Sequence, residues 1–186
     1  MERFVAVVGC CFFLAACVTT DSGVNALGAS MSEIQAMPLE EAKAHLAGKT
    51  VITFIDRHEL CENPNLNALG YCKWVEGPGT QVEYFAEDGR WFLWSPGNAE
   101  LATGTWTLRS WQRSDRYQVC FASSGTVTNV LARYPQEDDF KCALLVEYAG
   151  KITEARKADS FALSSGRMPF PLSKESTTVD ALLKSL

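Results

Sequence analysis

The sequence predicts a mainly β fold, an antiparallel meander closing as a small barrel or sandwich, with one N-terminal helix. Three observations carry this. Beyond Gly48 the apolar residues recur with a period of two; Phe92 and Trp94 fall on one side of their segment, Trp91 and Leu93 on the other. Turn signals recur about every ten residues, as hairpins require. They are Glu87-Asp88-Gly89, Ser95-Pro96-Gly97-Asn98, Arg113-Ser114-Asp115, Ser123-Ser124-Gly125 and Ala149-Gly150. The bulkiest residues (Tyr84, Phe85, Trp91, Phe92, Trp94, Trp106, Trp111, Tyr117 and Phe121) crowd into four neighbouring segments. A sheet that is aromatic on both faces is either covered on both sides or lines a cavity, and a small domain's need for core bulk favours the former.

The 186 residues suit one domain with appendages. A hydrophobic fraction of 47% with 21% charged residues argues for a packed core rather than wholesale disorder. The net charge of −5, without any run of basic residues, gives no footprint for a phosphate backbone or for an anionic bilayer surface. No nucleic acid partner is expected.

Residues 1–16 are expected to be an export signal. The apolar run from Phe4 to Val18 is 15 residues long, whereas a membrane-spanning helix needs about 20. Arg3 supplies a positive start, partly offset by Glu2. The run closes on Leu14-Ala15-Ala16-Cys17, which resembles the lipobox of bacterial lipoproteins. That resemblance implies a diacylglycerol on the Cys17 thiol, cleavage just before it and, usually, acylation of the new amino group. The membrane partner is then the lipid on Cys17. Val18 follows the cysteine where an aspartate would resemble an inner-membrane retention signal, so the implied address is the outer membrane, facing the periplasm.

Residues 17–30, short and polar with no apolar period, read as a tether, and 31–159 as the β-rich domain. Within it Met37 to Gly48 reads as the helix: Pro38 at the first position, Glu40 and Glu41 in the first turn and Gly48 as the stop. Leu39, Ala42 and Leu46 share one face, and His45 falls off it into solvent. The strands expected are 50–55, 80–86, 90–95, 103–111, 116–122, 126–134, 141–148 and 151–157. Residues 56–79, rich in Asn, Pro and Gly, read as a long stapled loop, and 160–186 as a loosely packed tail with a short terminal helix.

Of seven cysteines, Cys10 and Cys11 leave with the signal and Cys17 carries lipid. Cys61, Cys72, Cys120 and Cys142 remain, an even number suited to two disulfides in an oxidising compartment. Three pairings are open; Cys61–Cys72 and Cys120–Cys142 are favoured because they close short loops. A metal site is disfavoured because no two of these cysteines form a C-x₂₋₄-C unit. No cofactor is expected.

Asp56-Arg57-His58-Glu59-Leu60-Cys61-Glu62 is the densest cluster of chemically able side chains. His58 could serve as a base with carboxylate support, but the plainer reading is a solvated polar loop. With two histidines in the chain and no serine in a nucleophile elbow, catalysis is not expected.

Tyr84-Phe85-Ala86-Glu87-Asp88-Gly89-Arg90, then Gly104-Thr105-Trp106, then Tyr117-Gln118-Val119-Cys120-Phe121, is similar to a pattern in small lipoproteins of Gram-negative envelopes. That resemblance covers residues 84–121 and implies no activity. Gly104-Thr105-Trp106 also resembles the Gly-x-Trp of lipocalins, although theirs opens the barrel and this one falls mid-domain. The expected function is a non-catalytic envelope module that binds a protein or cell-wall partner. The alternatives are a carrier of a small apolar ligand in a lipocalin-like barrel, and an inhibitor of lysozyme-like enzymes acting through the Ser123-Ser124-Gly125 loop.

Overall fold

The computed structural model describes residues 26–61, 72–111, 116–123, 136–137 and 139–186. Two short helices, α1 (Met31–Ala36) and α2 (Leu39–Ala44), precede the sheet. The strands are β1 (Lys49–Cys61), β2 (Cys72–Phe85), β3 (Arg90–Trp94), β4 (Ala102–Ser110), β5 (Tyr117–Ser123), β6 (Gln136–Glu137) and β7 (Phe140–Leu144). Helix α3 (Leu145–Ala149) leads into β8 (Ile152–Lys157), and α4 (Val179–Leu183) ends the chain. The mainly β, antiparallel fold is as the alternation predicted.

The eight strands form one sheet in the order β6-β7-β5-β4-β3-β2-β1-β8. Its shape follows from one short connection. β7 and β8 lie six strand positions apart, roughly 29 Å in a flat sheet, yet only the five residues of α3 and the pair Gly150-Lys151 join them. A five-residue helix rises about 7.5 Å, so the sheet has to curl. The result is a half-barrel with α3 crossing the opening: Tyr148 of α3 sets its ring 6.0 Å from Phe85 and 5.8 Å from Phe121.

The strand alternation sorts the large side chains into two cores. Inside the curl lie Val51, Phe85, Trp91, Leu93, Trp106, Leu108, Val119 and Phe121, closed over by Leu27, Ile34, Ala42 and Leu46 from the N-terminal segments. Outside it Ile52, Val82, Phe92 and Trp94 form a second cluster with Phe161, Leu163, Leu172, Val179 and Leu182. Residues 160–186 are therefore a strap that covers the outer face, not a loosely packed tail. The strap has no periodicity because it crosses strands instead of pairing with them. Trp94 shows its function as a cover: the ring is buried against Phe161 and Phe170, and its Nε1 donates to the Phe170 carbonyl at 2.9 Å.

Other boundaries move too. The domain begins before residue 31, since Leu27 is buried and Ser30 caps α1 in a reciprocal capping box with Glu33. The helix expected over Met37–Gly48 is the shorter α2, Leu39–Ala44, and α1 before it was not expected; Ala42 and Leu46 are buried as predicted and Leu39 partly so. His45 is not fully solvated, because its Nδ1 lies 3.2 Å from the Leu27 carbonyl oxygen. The second half of the strand expected at 141–148 is α3. The strand expected at 126–134 and the turn at 113–115 lie outside the described residues, as do residues 1–25 with the lipobox and Cys17.

Cys120 and Cys142 are direct partners across β5 and β7 and are joined by a disulfide. At a sequence separation of 22, the crosslink stabilises the domain by about 3 kcal/mol in the chain-entropy view.

Candidate functional site

The feature that stands apart is the hairpin of β1 and β2. The two strands are 13 and 14 residues long, but their neighbours are short. β8 pairs only with Thr50–Thr53 of β1, and β3 only with Val82–Phe85 of β2. From Arg57 to Cys61 and from Cys72 to Glu76 the hairpin therefore runs as two strands alone, an arm extending beyond the sheet. For residues 56–61 and 72–79 this corrects the expectation of a loop at 56–79; residues 62–71 lie outside the described residues. Its described side chains from Arg57 to Glu59 and from Lys73 to Glu76 are exposed or only half-buried, so no fully buried stripe marks the arm and its sequence reads as polar and turn-like.

A bulge marks the base of the arm. Ile55 pairs with Gly79 and Arg57 with Glu76, so Gly77 and Pro78 together oppose Asp56. Gly77 is needed there, because a Cβ would sit 2.0 Å from the Ile55 carbonyl oxygen. Pro78 is tolerated because β2 has no strand on its outer side at that point.

The pleat divides the arm's side chains. Arg57, Glu59, Trp74 and Glu76 share one face, His58 and Val75 the other. Trp74 is 70% exposed, and of the most exposed large apolar side chains among the described residues (Trp74, Val146, Leu183 and Leu186) it alone is aromatic. A rigid indole held in solvent is the kind of side chain that anchors protein interfaces.

The same pleat separates the groups of the 56–62 cluster. His58 is half-buried opposite Val75, whereas Arg57 and Glu59 are exposed on the far side of the strand. Glu59 is therefore on the face away from His58 and does not support it as a base, while Asp56, two residues before His58, is exposed at the bulge. Among the described residues no group of three His, Cys, Asp or Glu side chains could hold a metal ion. The register sets Cys61 directly opposite Cys72, as it does Cys120 and Cys142; a bond between Cys61 and Cys72 lies outside the described side chains.

Inside the half-barrel the sequence reading missed a polar layer. Gln81 and Glu83 share the face of Phe85 and are fully buried. Trp91 Nε1 donates to Glu83 Oε2 at 2.8 Å, and Gln81 Nε2 to Ser95 Oγ at 3.2 Å. The alternation 81, 83, 85 carried that signal. Around this layer the interior is filled by rings 4.9 to 6.0 Å apart: Phe85, Trp91, Trp106, Phe121 and Tyr148. On the outer face, Arg90, Phe92, Thr103, Thr105 and Ser123 line a shallow open depression, where Arg90 lies 5.6 Å over the Phe92 ring and pairs with Asp88 at 2.7 Å. Of the proposed inhibitory loop Ser123-Ser124-Gly125, only Ser123, the last residue of β5, is described.

The arm and the chain's N-terminal side lie at opposite ends of β1. The Lys49 ammonium donates to the Leu27 carbonyl at 3.0 Å, fixing the domain's first turn at the start of β1. Cys61 is twelve residues further along, about 40 Å away for an extended strand.

No family model, no curated protein and no solved structure matches this chain. Function has to be read from its own residues.

Proposed function

We propose that this chain is a lipid-anchored envelope protein, held by Cys17, whose β-rich domain is a non-catalytic interaction module presenting the β1–β2 arm to a protein partner. The observation that carries this reading is Trp74, exposed on the arm opposite Glu59, about 33 Å along β1 from the segment that leads to the anchor. An anchor at one end and a recognition element at the other set the arm away from the bilayer. The anchor itself rests on Leu14-Ala15-Ala16-Cys17 closing an apolar run too short to span. The Cys120–Cys142 disulfide suits the oxidising periplasm that such an anchor implies. An apolar-ligand carrier is supported less well, because aromatic side chains fill the inside of the curl.

Two measurements test the reading. Wild-type protein should take up a palmitate analogue and Cys17→Ser should not; an unlabelled wild type would overturn the anchor. A photo-crosslinking residue at position 74, in intact envelopes, should capture a protein that the same probe at Leu183 does not. Capture of cell-wall glycan alone, or equal capture from both positions, would overturn the arm as a protein-docking element.

A further inference from the structure

The base of the arm is held by a distant part of the chain. β2 has no strand on its outer side until Val82, and at Thr80 the strap takes that place. The Thr80 N–H donates to the Lys174 carbonyl at 3.2 Å, and the Thr80 hydroxyl donates to the Glu175 carbonyl. One residue earlier Gly79, at φ +78°, brings its backbone so close that a Cβ would lie 2.2 Å from the Lys174 carbonyl oxygen. The Lys174 ammonium then reaches along the arm to Glu76 at 2.8 Å. On the opposite edge Phe54 N–H donates to the Lys151 carbonyl. The bulge is thus braced from both sides, and β2's side is braced by residues nearly a hundred positions away.

A two-stranded ribbon alone is at best marginally stable in water, so an arm of this kind takes its order from its base. We infer that Lys174 and Glu175 form a clasp on the arm's base, and that the order of the arm, and with it capture of a partner through Trp74, depends on the clasp being closed. The second half of this inference rests on the docking role proposed for the arm; the first does not. The clasp can be opened without unseating the strap. Leu172 on one side and Val179 on the other are buried in the outer core, while residues 173 to 176 are exposed. The strap therefore has two firm anchors with a releasable stretch between them, and that stretch meets the hinge of the arm.

Hydrogen exchange read by mass spectrometry on the whole soluble domain tests the clasp without any partner. The variant Thr80→Val with Lys174→Ser removes the hydroxyl bond and the ion pair but keeps the shape at position 80. Amides of residues 57–61 and 72–77 should exchange about tenfold faster, while β4 and β5 keep their wild-type rates. Asp180→Ala, which breaks the strap's other ion pair with Arg156, is the control and should leave the arm unchanged. Unaltered exchange in the arm of the double variant would overturn the clasp. So would acceleration spread equally through β4 and β5, since that reports general loss of stability. Photo-crosslinking from position 74 should fall in the double variant; if the arm loosens and crosslinking is absent even in wild type, the clasp stands and the docking role fails.

Discussion

Trp91 and Glu83 meet inside the half-barrel, the indole N–H donating to the carboxylate at 2.8 Å with both side chains sealed from water. A buried donor that loses its acceptor costs about 1–3 kcal/mol, because its bond to water is not recovered. Glu83→Leu should therefore destabilise by at least that amount, and Glu83→Gln, which keeps an acceptor, by less. Urea melts with the disulfide intact compare the two. Equal losses would mean that the Trp91 contact contributes nothing beyond the carboxylate's other interactions.

Trp106 tests the packing around that pair. It is buried, sets its ring edge-on to Phe85 at 5.0 Å and donates Nε1 to the Ala86 carbonyl at 3.1 Å. Trp106→Ala should cost about 3–5 kcal/mol, from lost transfer energy and the cavity left behind. A loss near that of an exposed site would place the indole outside the core.

Trp74 should behave in the opposite way. With 70% of its surface in solvent, Trp74→Ala should change stability by less than about 0.5 kcal/mol while removing partner capture. A large drop in the melting midpoint would show that the indole supports the arm instead of serving a partner.

Ala158 and Ala162 both have positive φ, at 72° and 53°, in the turn that leads β8 into the strap. Such conformations strain any residue with a Cβ. Ala162→Gly should raise stability by about 0.5–1 kcal/mol, read as a higher thermal midpoint. A fall would show that chain entropy outweighs the strain there.

The capping box of α1 should fail in acid. Glu33 Oε2 accepts from the Ser30 N–H at 2.7 Å while Ser30 Oγ accepts from the Glu33 N–H at 3.2 Å. The hydrogen bonds from Ser30 hold the Glu33 carboxyl below the ordinary glutamate value. A depressed value means that the contribution is present above the ordinary value and is lost as pH falls through the lowered one. The Ser30 amide should stay protected from about pH 7 down to about pH 5 and lose protection only below the glutamate range. Glu33→Gln should abolish that dependence, and protection fading already near pH 6 would contradict it.

The sheet body was legible because burial writes itself into alternation: Trp91 and Leu93 face one core, Phe92 and Trp94 the other, as their spacing required. The turn at Glu87-Asp88-Gly89 was equally plain, with Gly89 at φ +85°. The arm was not, because Arg57, His58 and Glu59 sit on a ribbon with little to bury. The strap was not, because its buried residues Phe161, Leu163 and Leu172 follow no regular period. The start of the domain could have been found from Ser30-Met31-Ser32-Glu33, a capping-box signature in the sequence itself.

β1 is laid down early but sealed late. The Thr50 hydroxyl donates to the Ala158 carbonyl and accepts from the Ser160 N–H, across 108 and 110 residues of sequence. That edge stays open until residues 152–160 reach it. Loop closure over such a separation also slows the final pairing. Order of synthesis and order of closure are therefore opposed, and a chain ending near residue 150 would keep a raw strand edge, prone to join another chain's.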